Sequence, residues 1–234
     1  MTGTFITFEG IDGSGKSTQL RLLGNFLRAN GCDALITREP GGTTLGLRLR
    51  AALLDAMEEV DPLTELLVFA ADRAQHVRRM LRPALEAGRV VISDRYADAT
   101  VAYQGAGRGF STELITQIVQ LATEGLKPDL TLLFDVSIEE STNRTTRRST
   151  SRGASGKAPR DRLDIEHADF HTRVRYAYLQ IALAEPERVK LIYTSGPVEH
   201  THERVKEIIV PYLQSRGHLA IADCQLPIAD CRLN

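Results

Sequence analysis

Residues 8–18 read Phe8-Glu9-Gly10-Ile11-Asp12-Gly13-Ser14-Gly15-Lys16-Ser17-Thr18. From Gly10 to Ser17 they satisfy GxxxxGK[ST] in full, the pattern of a phosphate-binding P-loop. The chemistry explains each residue type. Glycines let backbone N–H groups turn inward around phosphate oxygens, and the start of the following helix adds a favourable dipole. Lys16 reaches the β- and γ-phosphates as a point charge, and Ser17 offers a hydroxyl to Mg²⁺. The motif assigns Gly10, Ile11, Asp12, Gly13, Ser14, Gly15, Lys16, Ser17 and Thr18 to ATP, with Mg²⁺ as cofactor. The alternative is a chance glycine-rich turn. Residues 4–8 form a short apolar run of β-formers, and residues 17–29 place Leu20, Leu23, Phe26 and Leu27 on one helical face. A strand before the loop and a helix after it are the context that the motif requires.

The same alternation continues along the chain. Residues 34–37, 90–93, 130–136 and 189–193 read as strands. Helical patterns separate them at 45–57, 113–124, 138–148, 166–183 and 198–213. Asp61-Pro62 starts a long helix, Asp as N-cap and Pro at the first position; it should stop at Gly88, with Pro83 a possible kink. Strands alternating with helices predict an α/β fold of the P-loop NTPase type, three layers deep around a five-stranded parallel sheet. The phosphate loop should lie at the carboxyl ends of the strands. The expected division is a domain over residues 1–215, with a lid at about 145–162, and a poorly ordered tail over 216–234. Residues 149–159 are Ser, Gly, Arg and Lys with almost nothing apolar, which reads as a surface loop alone and as a basic lid beside a P-loop. The tail holds a near-repeat, Ile221 to Pro227 and Ile228 to Asn234, without a functional account.

Composition narrows the partners. Lys+Arg number 29 and Asp+Glu 30, so no global positive charge favours nucleic acid. No uncharged apolar stretch reaches the ~18 residues of a membrane span. Cys32, Cys224 and Cys231 make neither a disulfide framework nor a metal pattern. Residues 1–8 carry no export signal, and a cytoplasmic location is expected. His76, His167, His171, His200 and His202 fit no ligand spacing and read as solvated helix-surface residues.

A P-loop alone does not separate kinases from GTPases or motor ATPases, although no Asn-Lys-x-Asp guanine motif is present. Three further segments discriminate: Thr37-Arg38-Glu39-Pro40-Gly41-Gly42-Thr43, Phe69-Ala70-Ala71-Asp72-Arg73, and Asp94-Arg95-Tyr96 continuing to Ala102-Tyr103-Gln104-Gly105. With the P-loop, in this order and spacing, they resemble bacterial thymidylate kinases over roughly residues 4–213. The resemblance implies phosphoryl transfer from ATP to dTMP with Mg²⁺, for dTTP synthesis, a strand order of 2-3-1-4-5, and a homodimer. An acceptor monophosphate is already an anion near neutral pH, so catalysis reduces to positioning and charge neutralisation, and cations should surround the site. Rival readings are a kinase for another nucleoside monophosphate and a nucleotide-binding regulatory protein without turnover.

By resemblance, Arg38 and Arg95 look like ligands of the acceptor phosphate, and Asp12 like the carboxylate beside it. Asp94 resembles a magnesium-associated carboxylate held through water. Phe69 looks like the ring that stacks on thymine. Arg73, Thr100 and Gln104 would hydrogen-bond the base, and Tyr103 would crowd the sugar 2′ position. Against these stand plainer readings: Arg95 as a surface salt-bridge partner of Asp94 or Asp98, Asp12 as a turn-stabilising residue, and Phe69 as a core residue. Some family members carry an arginine at the position of Gly13; members without one place catalytic arginines in the lid. The lid region offers Arg144, Arg147, Arg148, Arg152, Arg160 and Arg162. Arg160, just before Arg162-Leu163-Asp164, is the first choice as catalytic residue beside Lys16, Arg95 and Asp12, and Arg144 is assigned to ATP. Glu166 is read either as a positioning carboxylate or as an exposed first-turn residue.

Overall fold

The computed structural model describes residues 3–54, 59–152, 166 and 168–220. Five strands, β1 (Thr4–Glu9), β2 (Ala34–Arg38), β3 (Val90–Asp94), β4 (Leu130–Asp135) and β5 (Val189–Tyr193), form one parallel sheet in the order β2-β3-β1-β4-β5. β1 is central, and all six of its residues are buried. Its two threonines are tolerated there in part because Thr7 Oγ1 meets Thr131 Oγ1 at 2.7 Å.

Side-chain alternation sends the two strand faces into different layers. Ile6, Phe8, Ile92, Leu132 and Phe134 pack under α1 (Lys16–Ala29) and α9 (Val198–Ser215) through Leu23, Leu27, Val205 and Ile209. On the opposite face, Phe5 and Val91 pack with Val77, Leu81 and Tyr96, while Leu133 packs with Phe170, Val174 and Tyr178 of α8 (Ala168–Ala184). Packing continues beyond α9: Leu219 is buried in the first cluster and Arg216 pairs with Asp129 at 3.1 Å. Residues 221–234, the rest of the expected tail, lie outside the described residues.

Two connections carry most of the site. After α2 (Thr44–Leu54), α3 (Pro62–His76) is capped by Asp61, whose Oδ1 accepts from Leu63 N at 2.8 Å. It runs through a π-helical stretch, Val77–Leu81, into α4 (Arg82–Glu86). The wider turn, in which the Arg82 N–H reaches Val77 O, absorbs Pro83 at the start of α4. Gly88, at φ 77°, follows the helix end as expected. The second connection corrects the sequence reading, which has no helix between β3 and residue 113. α5 (Ala97–Thr100) continues as a π-helical segment, Val101–Gly107, before α6 (Thr112–Thr123). Gly105 and Gly107 lower its local helix propensity. Gly107 is needed because a Cβ there would lie 2.6 Å from the Phe170 ring of α8.

α7 (Ile138–Arg152) extends beyond the expected helix end at 148 and includes the first residues of the expected lid. Residues 153–165, with Arg160 and Arg162 among them, and the side chains of Arg148 and Arg152 lie outside the described residues.

Candidate active site

The P-loop leaves the central strand and wraps the first turn of α1. Gly10, Gly13 and Gly15 have φ of 132°, 74° and 91°, which side-chain-bearing residues rarely adopt. A Cβ on Gly10 would also lie 2.3 Å from Phe134 O. Lys16 Nζ donates to Gly10 O at 2.8 Å and Ile11 O at 2.9 Å, so the buried ammonium is held inside the loop's curve. Burial and the Arg95 charge lower its pKa to about 8, against the opposing pull of Asp12, Asp94 and Glu9. Ser17 Oγ donates to Asp94 Oδ2 at 3.0 Å, which places two hard oxygen donors together at the loop's mouth. A pocket opens over Gly13, Lys16, Ser17 and Thr18 and is bordered by Arg144 and Thr194. Arg144 Nη2 donates to Thr194 O at 2.7 Å and pairs with Glu140, and its Nη1 donates to Gly13 O at 3.3 Å. Gly10 and Ile11 contribute their carbonyls to Lys16, and Ser14 is buried beneath the loop.

Arg95 joins this loop to a second cavity. Its Nη2 donates to Asp12 Oδ1 at 2.8 Å and to the Tyr103 hydroxyl at 3.0 Å, and its Nη1 to the Tyr178 hydroxyl at 3.3 Å. Its partner is therefore Asp12; Asp98 is taken by Arg188 at 2.7 Å. Burial raises the Asp12 pKa, but Arg95 and Lys16 outweigh it and hold the carboxyl well below the usual range. The Tyr103 hydroxyl donates to Asp12 Oδ2 at 3.2 Å, and burial pushes its pKa well up.

The second cavity meets the first at Asp12 and is walled by Arg95, Phe69, Arg73, Thr100, Tyr103 and Gln104. Phe69 is half-buried against the core and also lines the cavity. Arg73 is locked by three bonds: Nε to Glu39 Oε2 at 2.8 Å, Nη1 to Thr100 Oγ1 at 2.7 Å and Nη2 to Tyr96 O at 2.8 Å. Arg38 is exposed at the end of β2, in register with Asp94, and does not line the cavity.

Several participants escape sequence reasoning. Arg50 of α2 lines the cavity and donates to Pro40 O at 3.2 Å; its helical spacing alone gives it no distinction from Arg48. His76 is not a solvated surface residue. It is fully buried, with Nδ1 2.8 Å from Glu39 Oε1 and Nε2 2.8 Å from Thr37 Oγ1. His202 is half-buried, with Nδ1 3.1 Å from Gln19 Oε1, while His167 lies outside the described residues. Glu166 is half-buried and not exposed, and it accepts from Arg108 Nη1 at 2.6 Å in an ion pair.

The family model for thymidylate kinase matches residues 8–205. A thymidylate kinase from Desulfovibrio desulfuricans is 48% identical over 217 residues, covering 91% of this chain and 98% of its own. One from Exiguobacterium sibiricum is 42% identical over 221 residues, covering 94% and 100%. The crystal structure of thymidylate kinase from Ehrlichia chaffeensis superposes with a TM-score of 0.71 at 34% identity, covering 90% of this chain and all of that one.

Proposed function

The chain belongs to the thymidylate kinase family, and we propose that its two cavities divide the family's reaction, ATP + dTMP to ADP + dTDP, between a donor and an acceptor side. ATP is the phosphoryl donor. Its phosphates lie in the P-loop, where backbone amides and Lys16 neutralise them, and Arg144 borders the rest of the nucleotide. Ser17 and Asp94 fit a magnesium ion, since both offer oxygen and stand 3.0 Å apart at the loop's mouth. When bound, Mg²⁺ supplies charge neutralisation on the β- and γ-phosphates.

On the acceptor side, thymine stacks on Phe69, and Arg73, Thr100 and Gln104 read its edge. Tyr103 crowds the sugar 2′ position. Arg95 holds the acceptor phosphate, and Arg38 adds charge from the end of β2. Asp12 positions Arg95 and does not take a proton, because a carboxylate held far below its usual pKa is a poor base. This agrees with an acceptor that is itself an anion. A lid arginine, Arg160 first, supplies a further cation in the closed state. The reaction serves dTTP synthesis in the cytoplasm, and the chain acts as a homodimer.

The observation that carries this reading is Asp12, which lines both cavities and pairs with Arg95 of the second at 2.8 Å. A coupled ADP-release assay, with and without dTMP, tests it. ADP release should require dTMP and fall away with other nucleoside monophosphates. Equal release in its absence would mean that the second cavity is not an acceptor site.

A further inference from the structure

We propose that Glu65, which does not line the acceptor cavity, determines which pyrimidine the cavity takes, by fixing the orientation of the Gln104 carboxamide. The inference rests on the acceptor site described above.

Glu65 lies on α3 with 0% exposure. Its Oε1 accepts from Gln104 Nε2 at 2.9 Å and from Arg108 Nε at 3.2 Å, and its Oε2 accepts from Arg108 Nη2 at 2.9 Å. The forked guanidinium places two N–H donors on the buried carboxylate and compensates its charge. Arg108 is itself held, its Nη1 on Glu166 at 2.6 Å and its guanidinium carbon 4.8 Å from the centre of the Phe170 ring. An ionised carboxylate accepts and never donates. Gln104 must therefore turn its NH₂ toward Glu65, because the flipped amide would set oxygen against oxygen at the same distance. The carboxamide oxygen is left for the cavity, which Gln104 lines.

The same logic sets the neighbouring polarity. Arg73 is fixed by Glu39 and donates to Thr100 Oγ1 at 2.7 Å, so the threonine's own proton remains to be donated. The polar wall of the cavity thus combines donors, from Arg73 and Thr100, with one acceptor, from Gln104. A pyrimidine with a protonated N3 between two carbonyls presents the complementary pattern. A cytosine-type base presents an N3 lone pair and a 4-amino group, and its N3 would meet the Gln104 oxygen with no proton between them. Leaving polar groups mismatched in a dry pocket is the strongest way to reject an analogue. Glu65 is therefore a positioning residue for specificity, acting through Gln104.

The test is kcat/KM for dTMP and for dCMP in four proteins: wild type, Glu65→Gln, Gln104→Met and the double variant. In wild type dTMP should be strongly preferred. Glu65→Gln frees the amide to flip, so the preference should fall about tenfold or more, mainly through the KM for dTMP. In the Gln104→Met background the same change should have no further effect, which a general packing role would not predict. An unchanged preference in Glu65→Gln overturns the proposal, as does an equal loss in both backgrounds. A wild type without dTMP preference overturns the acceptor-site reading and this inference with it. If Glu65→Gln does not fold, the exchange variant Glu65→Gln/Gln104→Glu decides. It keeps one carboxylate and one carboxamide in place and still offers the cavity an acceptor, so dTMP preference should survive; its loss overturns the proposal.

Discussion

Arg95 has a backbone φ of 72°, a region that costs a residue with a side chain on the order of 1–2 kcal/mol. The surroundings hold it there. Its N–H donates to Phe8 O at 2.9 Å, its carbonyl accepts from Ser93 Oγ at 2.8 Å, and the next N–H, of Tyr96, donates to Glu9 Oε1 at 2.7 Å. This backbone turns the guanidinium back toward Asp12, with the Tyr103 hydroxyl bonded to both groups. Tyr103 therefore has two separable parts. Tyr103→Phe should keep discrimination between dTMP and its ribo-analogue, because the ring remains, and lower kcat about tenfold through the lost bonds to charged partners. Tyr103→Ala should lose the discrimination as well. Steady-state kinetics on both nucleotides checks this, and equal discrimination in wild type and Tyr103→Ala would count against a steric role. Lys16, Ser17, Asp94 and Arg95 are legible in the sequence because each stands at a fixed offset from a strand end. Glu39 and His76 are not, because their meaning lies in contacts between β2, its following loop and α3 that no local pattern contains.

Among the elements, the P-loop and α7 explain one another. Gly13 carries no arginine, and the structure gives the reason: a Cβ there would lie 2.7 Å from Ser141 O and 3.2 Å from Ser141 Cα. Ser141 Oγ also donates to Asp12 O at 2.6 Å, so the backbone of α7 lies directly against the loop. The resemblance places the further cation for the transferring phosphoryl group among the lid arginines instead, and this is open to test. We expect Arg160→Ala to lower kcat by ~10³-fold while dTMP affinity changes little, since its contact forms mainly in the reacting state. Arg160→Lys should rescue only in part, lacking the planar fork. Single alanine variants at Arg148, Arg152 and Arg160, measured for kcat and dTMP affinity, locate the residue. Full kcat in all of them and in the combined variant would reduce the segment to a linker. Strand positions and the long helices were readable here from apolar spacing. The Val101–Gly107 segment was not, because its two glycines mask a helix whose stability comes from α8 lying against it.

At the scale of the whole molecule, α3 carries a buried acid on one side and exposed leucines on the other. Asp72 is buried; its Oδ1 accepts from Gly41 N at 3.1 Å, and its Oδ2 has no partner among the described residues. Burial and the nearby Glu39 raise its pKa from 3.8 to about 6, against the Gly41 N–H, His76 and Arg73. An acid with a raised folded pKa binds its proton more tightly when folded. Its contribution is therefore complete below 3.8 and is lost as pH rises through about 6, a swing of up to about 3 kcal/mol. Asp72→Asn should remove that slope, so the variant should gain on wild type between pH 4 and 7 in denaturant titrations; a constant difference would mean that Asp72 is ionised throughout. The opposite side of the same helix bears on assembly. Leu63 and Leu67, one turn apart, are 47% and 49% exposed, and Leu121 of the adjacent α6 is 76% exposed. Such a row on two neighbouring helices suits a two-fold contact in which α3 and α6 meet their own copies, burying about 800 Å² per subunit. Leu67 lies two residues from Glu65 and from Phe69, so a partner pressing on it would also fix the rotation of the helix that carries the base-reading side chains. Leu67→Glu should shift the dimer to monomer in sedimentation, leave the helical circular dichroism intact, and raise the KM for dTMP more than that for ATP. A Leu67→Glu protein that remains dimeric would move the interface off α3, and a wild type that is monomeric at micromolar concentration would remove the dimer altogether.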